Sequence, residues 1–170
     1  MKKDRFIIVD PFNESHINLI KKDSRNNYKI ASILEFLTDL KNDDSRQKEK
    51  EVKNEVKEVA LLANDDEIKS IFLMDSFKDI KNCYITPIYC KSIQKERNLL
   101  NKVLIYLIAE MKMDQIFISI DLSENKRGDY LIEAGFECLG EVENSNKIAY
   151  EIDSTTILED YIIEAEKPKK

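Results

Sequence analysis

The sequence predicts a three-layer α/β domain with a mixed, mostly antiparallel central sheet flanked by helices. Three observations lead there. Short apolar runs of strand length alternate with longer segments whose apolar residues recur at helical spacing. Two neighbouring runs, Val59 to Ala63 and Ile68 to Met74, flank the polar turn 64–67 and read as a hairpin. One long amphipathic segment lies between two strand candidates, which implies a parallel crossover in an otherwise antiparallel sheet. That order is not the repeated crossover of a doubly wound nucleotide fold.

In chain order, Phe6 to Val9 reads as a short buried strand ended by Asp10-Pro11. Asn13 or Ser15 can cap a helix carrying Ile17, Leu19 and Ile20 on its apolar face, with His16 in the first turn as a surface residue. Ile30, Ile33, Leu34, Leu37 and Leu40 make a second amphipathic helix. Residues 42–58 are nearly all polar and read as a surface connection with a helical stretch. After the hairpin, Tyr84 to Cys90 is a strand in which Pro87 removes a ladder donor, so a bulge, edge or interruption is expected. Leu100, Val103, Leu104, Leu107, Ile108 and Met111 mark the cleanest helix. Ile116 to Ile120 follows as a buried strand. A short helix beginning at Ser123 or Asn125 then stops at Gly135. Phe136 to Leu139 and Ile148 to Ile152 close the domain as strands around the turn 143–146.

The 170 residues suffice for one domain, assigned to 1–153, with 154–170 as a C-terminal extension. Ile157, Leu158, Tyr161, Ile162 and Ile163 give the extension the pattern of a docked helix, with a homodimer contact as the sharper alternative. At 42% hydrophobic and 35% charged residues the chain is globular rather than disordered. Its net charge of −6, without a basic stripe, argues against a nucleic-acid partner. No apolar run approaches a signal peptide or a membrane span, so a cytoplasmic protein with no membrane partner is expected. Three cysteines without ligand spacing and a single histidine point to a reduced protein with no metal. Glycine occurs only at 128, 135 and 140, against roughly a dozen at average usage.

Residues 125–137, Asn-Lys-Arg-Gly-Asp-Tyr-Leu-Ile-Glu-Ala-Gly-Phe-Glu, resemble the asparagine, short helix and closing Tyr-Glu-Lys-Leu-Gly-Phe signature of the GNAT N-acetyltransferase superfamily. The resemblance covers Glu58 to Gly140, and Phe6 to Leu40 fits that fold's opening strand and helix pair. The family's tyrosine lies four residues before the glycine. Leu131 holds that position here, and Tyr130 precedes it, about 100° around a helix.

The resemblance implies an acyl-CoA-dependent N-acyltransferase using acetyl-CoA as co-substrate and a small-molecule or protein amine as acceptor. The family's pyrophosphate loop, Arg/Gln-x-x-Gly-x-Gly/Ala, maps onto Lys95 to Leu100, with the helix then starting at Asn101. Such a loop needs successive backbone N–H groups open to phosphate. In this mapping Asn98 stands for the first glycine through a left-handed backbone, and Leu100 for the small second residue. Lys95 and Arg97 supply side-chain contacts, and Leu99 lies between the glycine positions. A second register would use Gln94, Arg97 and Leu99.

By the same resemblance, backbone N–H groups of Ile88, Tyr89 and Cys90 polarise the thioester carbonyl, and Asn125 adds to the coenzyme site. Tyr130 is the candidate general acid for the thiolate, and Asp75 and Glu133 are candidate bases. Loss of both loop glycines keeps two alternatives open: a catalytically inactive GNAT-fold binding or regulatory domain, and an α/β interaction protein unrelated to acyl transfer.

Overall fold

A computed structural model describes residues 3–47 and 54–157. Seven strands and four helices run β1 (Arg5–Ile8), α1 (Glu14–Ser24), α2 (Tyr28–Gln47), β2 (Glu55–Ala63), β3 (Ile68–Phe77), β4 (Asn82–Cys90), α3 (Ile93–Ala109), β5 (Gln115–Asp121), α4 (Asn125–Glu133), β6 (Glu137–Glu141) and β7 (Lys147–Asp153). One sheet of order β1-β2-β3-β4-β5-β7-β6 contains them all. Only β4 and β5 pair in parallel, as the intervening long helix requires.

The local chemistry explains each boundary. Asn13 caps α1 by accepting from the Ser15 and His16 amides. Asn27 does the same for α2 through the Lys29 and Ile30 amides. In the β2–β3 turn, the Asn64 side chain accepts from the Asp66 and Glu67 amides. Asp23 ties α1 to the start of β3 through the Ile68 amide at 2.6 Å. Gly135 ends α4 at φ 102°, a left-handed position that admits glycine without a Cβ penalty.

Alternation along the strands sends side chains to two cores, one on each face of the sheet. Ile20, Ile30, Ile33 and Leu37 of α1 and α2 pack on Leu61 and Ile71. Leu99, Leu100, Val103 and Leu107 of α3, with Tyr130 and Leu131 of α4, pack on Phe72, Met74, Ile116 and Ile118. Gly128 lets α4 lie against β7, since a Cβ there would sit 2.5 Å from the Tyr150 hydroxyl.

Pro87 does produce a bulge. Ile71 faces Tyr89 while Phe72 faces Pro87, which leaves Ile88 as the extra residue. Helix α2 runs through Gln47, past the expected end at Leu40, and residues 54–58 already belong to the approach to β2 and its first residues. The sheet's outer strands are short: β1 has four residues, and β6 has five, mostly exposed, with a shift of register at Gly140. Residues 154–157 form a helical turn, and Ile157 packs on the α3 core. The rest of the expected tail helix, 158–170, lies outside the described residues.

Candidate functional site

The parallel pairing of β4 and β5 stops at Ile85 and Ile118. Beyond it the two strands splay, so Thr86 to Cys90 have β3 on one side and no strand on the other. A cavity of about 500 Å³ opens at the end of this splay. Its wall is made by the α1–α2 connection, including Tyr28 and Lys29, by Tyr89 and Cys90 of β4, by Ile93 of α3, and by Glu124 and Arg127 at the start of α4. Of the expected carbonyl-polarising strand, Tyr89 and Cys90 therefore reach the cavity, and Ile88 is the bulged residue beside them.

The expected pyrophosphate loop is not a loop. Only Lys91 and Ser92 separate β4 from α3, and the Ser92 hydroxyl caps the helix by accepting from the Lys95 amide. Lys95 to Leu100 are consequently helical, not loop residues before a helix at Asn101, and the second register falls in the same helix. Asn98 is not left-handed: among the described residues, positive φ outside glycine is confined to Lys81, Lys112 and Asn144. The physical reason is the missing glycine. With no glycine at 93–100, and with Asn98 accepting from the Gln94 side chain at 3.0 Å within the helix, the backbone amides close on carbonyls one turn back. Leu99 and Leu100 then point into the core, both at 0% exposure.

The nearby cations are also committed. Lys95 Nζ lies 2.6 Å from Asp4 Oδ2, Lys91 Nζ lies 2.7 Å from Glu67 Oε1, and Arg97 Nη1 reaches Glu133 Oε2 at 3.4 Å. Lys69 and Lys91 together pull Glu67 down to about 2. The first turn of α3 thus offers few amides and no surplus positive charge to a pyrophosphate, and the residues present do not fit acyl-CoA in the family's manner.

A buried cluster occupies the space between α3 and α4. Glu96 is fully buried, and its Oε2 accepts from the Tyr130 hydroxyl at 2.9 Å and pairs with Arg127 Nε at 3.1 Å. Arg127 continues to the strand, donating from Nη2 to Cys90 Sγ at 3.4 Å, with Nη1 3.8 Å from Glu124. Glu96 Oε1 is buried without a partner. Burial outweighs Arg127 and Tyr130 at this carboxyl and holds it above the usual carboxylate range. Burial also pushes the Tyr130 phenol up, reinforced by the charge of Glu96 and the hydrogen bond to it. Tyr130, expected to protonate a thiolate, is 4% exposed and already donates its proton to Glu96.

The expected bases fall elsewhere. Glu133 is exposed on α4, paired with Arg97. Asp75 faces Tyr84 at the start of β4, six residues from Cys90 and so about 20 Å along the strand from the cavity. It has its own chemistry there. Burial and a hydrogen bond with Glu55 raise it to about 6. Between the ordinary value and about 6 the folded chain holds a proton that the unfolded chain releases, so stability falls as pH rises through that window. Asp75→Asn should flatten this dependence and add on the order of 1 kcal/mol at alkaline pH, after discount for partial exposure. Urea unfolding across the window checks it; a variant profile parallel to wild type would refute the assignment. Asn125 is the first residue of α4.

Sequence reasoning missed Glu96 and Arg127. The signals present were the Ser92 cap and a charged residue on the buried side of an apolar helix face. Among the described residues, no cluster of His, Cys, Asp or Glu could hold a metal ion, and no helix is long and apolar enough to cross a membrane.

No family model and no curated protein matches the sequence. Solved structures do match in fold. FdhC, a nucleotide-linked sugar GNAT, superposes with a TM-score of 0.65 at 13% identity, covering 96% of this chain and 94% of that one. Spermidine/spermine N-acetyltransferase SpeG from Vibrio cholerae gives 0.62 at 10% identity, covering 93% and 99%. Campylobacter jejuni N-acetyltransferase PseH, in complex with acetyl coenzyme A, gives 0.59 at 15% identity, covering 88% and 99%. The chain has the GNAT fold.

Proposed function

We propose that this GNAT-fold chain is a small-ligand-binding domain that has lost acyl-CoA chemistry, with the cavity at the end of β4 as its binding site. The observation that carries the reading is the start of α3 at Ile93, which turns Lys95 to Leu100 into helix and buries Leu100, the residue at the second glycine position, with Leu99 beside it. Coenzyme recognition in this fold depends on open amides there, and the cavity does not. It is mixed in character, with two tyrosines, Lys29, Glu124 and the edge of Arg127. The free state of all three cysteines agrees with a reducing, cytoplasmic setting.

The acyltransferase reading keeps one specific support. The splay beside Thr86 to Cys90 leaves a strand edge facing the cavity, as transfer of acetyl to an amine acceptor in this fold requires. Titration of the purified chain with acetyl-CoA and with CoA, followed by calorimetry, separates the two. The binding-domain reading expects no heat at millimolar coenzyme. Micromolar binding that weakens in Lys95→Glu would overturn it and restore the enzyme.

A further inference from the structure

We propose that Glu96, Arg127 and Tyr130 form a latch pinning α4 to α3 and β4 beside the cavity, and that α4 swings away as a local unit when Arg127 leaves Glu96. The proposal rests on the reading above, in which the cavity, not a coenzyme loop, is the binding site.

The cluster joins three elements through one side chain. Arg127 starts on α4, pairs with Glu96 of α3 through Nε, and reaches Cys90 of β4 through Nη2. Tyr130, one turn further along α4, places its hydroxyl on the same Glu96 oxygen. The remaining oxygen, Oε1, is buried without a partner, so the closed arrangement leaves part of a desolvated carboxyl uncompensated. Opening would return that oxygen to water, which gives the closed state a nearby competitor.

Helix α4 is built to be that movable part. It has nine residues, its N-cap Glu124 makes no side-chain cap, and Gly128 sits in its middle. Short, uncapped and glycine-interrupted, it depends on packing and on Arg127 rather than on its own propensity. Arg127 and Cys90 also line the cavity, so an occupant there touches the latch directly.

The cysteines supply the readout. Cys138 is exposed, Cys90 is half-buried behind Arg127, and Cys83 is buried at 0% in the core. In a Cys138→Ser background of the full chain, iodoacetamide labelling followed by mass spectrometry reports Cys90 and Cys83 separately. Arg127→Lys loses the forked reach to Glu96 and also the hydrogen bond to Cys90 itself, so faster Cys90 labelling supports the latch only where the α4 amides of the same variant also exchange faster. The expected result is Cys90 labelling at least about tenfold faster, with Cys83 as protected as in wild type. An unchanged Cys90 rate overturns the latch, and so does Cys83 accelerating in step with Cys90, because α4 then moves only with global unfolding.

Amide exchange of the wild-type chain gives a second check that needs no variant. Amides of α4 should exchange at least about a hundredfold faster than those of β3 and β5, and equal rates overturn the proposal. Acetyl-CoA binding by wild type would sink the functional reading while leaving these labelling and exchange outcomes to stand or fall on their own.

Discussion

Leu100→Gly, which restores a glycine where the family's loop carries its second small residue, is expected to cost about 3–6 kcal/mol and to create no coenzyme binding. Leu100 is fully buried, packed among Phe72, Met74 and the α3 face of the core. Removing its side chain forfeits the burial and leaves a cavity, about 2–5 kcal/mol for truncation to alanine alone. Glycine within a helix adds roughly 1 kcal/mol through the freedom it gains on unfolding. Urea unfolding measures the loss, and the same protein titrated with CoA tests the binding. A variant that kept its stability and bound CoA would show that 93–100 is a loop in solution, and would return the acyltransferase reading to first place.

Arg127→Ala is the second large effect, expected at about 3–5 kcal/mol, because it strands the Glu96 carboxyl in the interior with Tyr130 as its remaining partner. Glu96→Leu combined with Arg127→Leu should recover most of that loss, since replacing a buried ion pair with apolar groups is close to neutral. Chemical denaturation of Glu96→Leu, Arg127→Leu and the double closes the cycle. A loss below about 1 kcal/mol for Arg127→Ala would mean that water already reaches Glu96.

The element order was readable because its signals are local. Alternation in β5, the polar turn at 64–67, helical spacing in α2 and α3, and the stop at Gly135 each depend on neighbours in sequence. The parallel crossover and the bulge at Pro87 followed from them. The site was less readable, for two reasons.

At α3, a family pattern was laid over residues whose own chemistry says otherwise: Ser92 is a helix-capping residue, and no glycine or proline between it and Leu100 breaks the helix. The Asp75 expectation failed on topology already in hand. In an antiparallel hairpin the end of β3 lies beside the start of β4, so an acid late in β3 cannot serve the far end of β4. Glu96 and Arg127 are a different matter, because they meet across 31 residues of chain with no spacing rule to announce it.

The short outer strand β6 bears on how the chain behaves in crowded solution. Among the described residues no strand pairs with its outer edge, and Leu139 is 52% exposed. Two copies joining antiparallel at Leu139 would set Glu137 of each against Glu141 of the other, with the register shift at Gly140 spoiling the ladder between them. Like charges across paired strands repel. Carboxylates therefore guard this edge against a second copy, and added salt, by screening them, is what would make it adhesive.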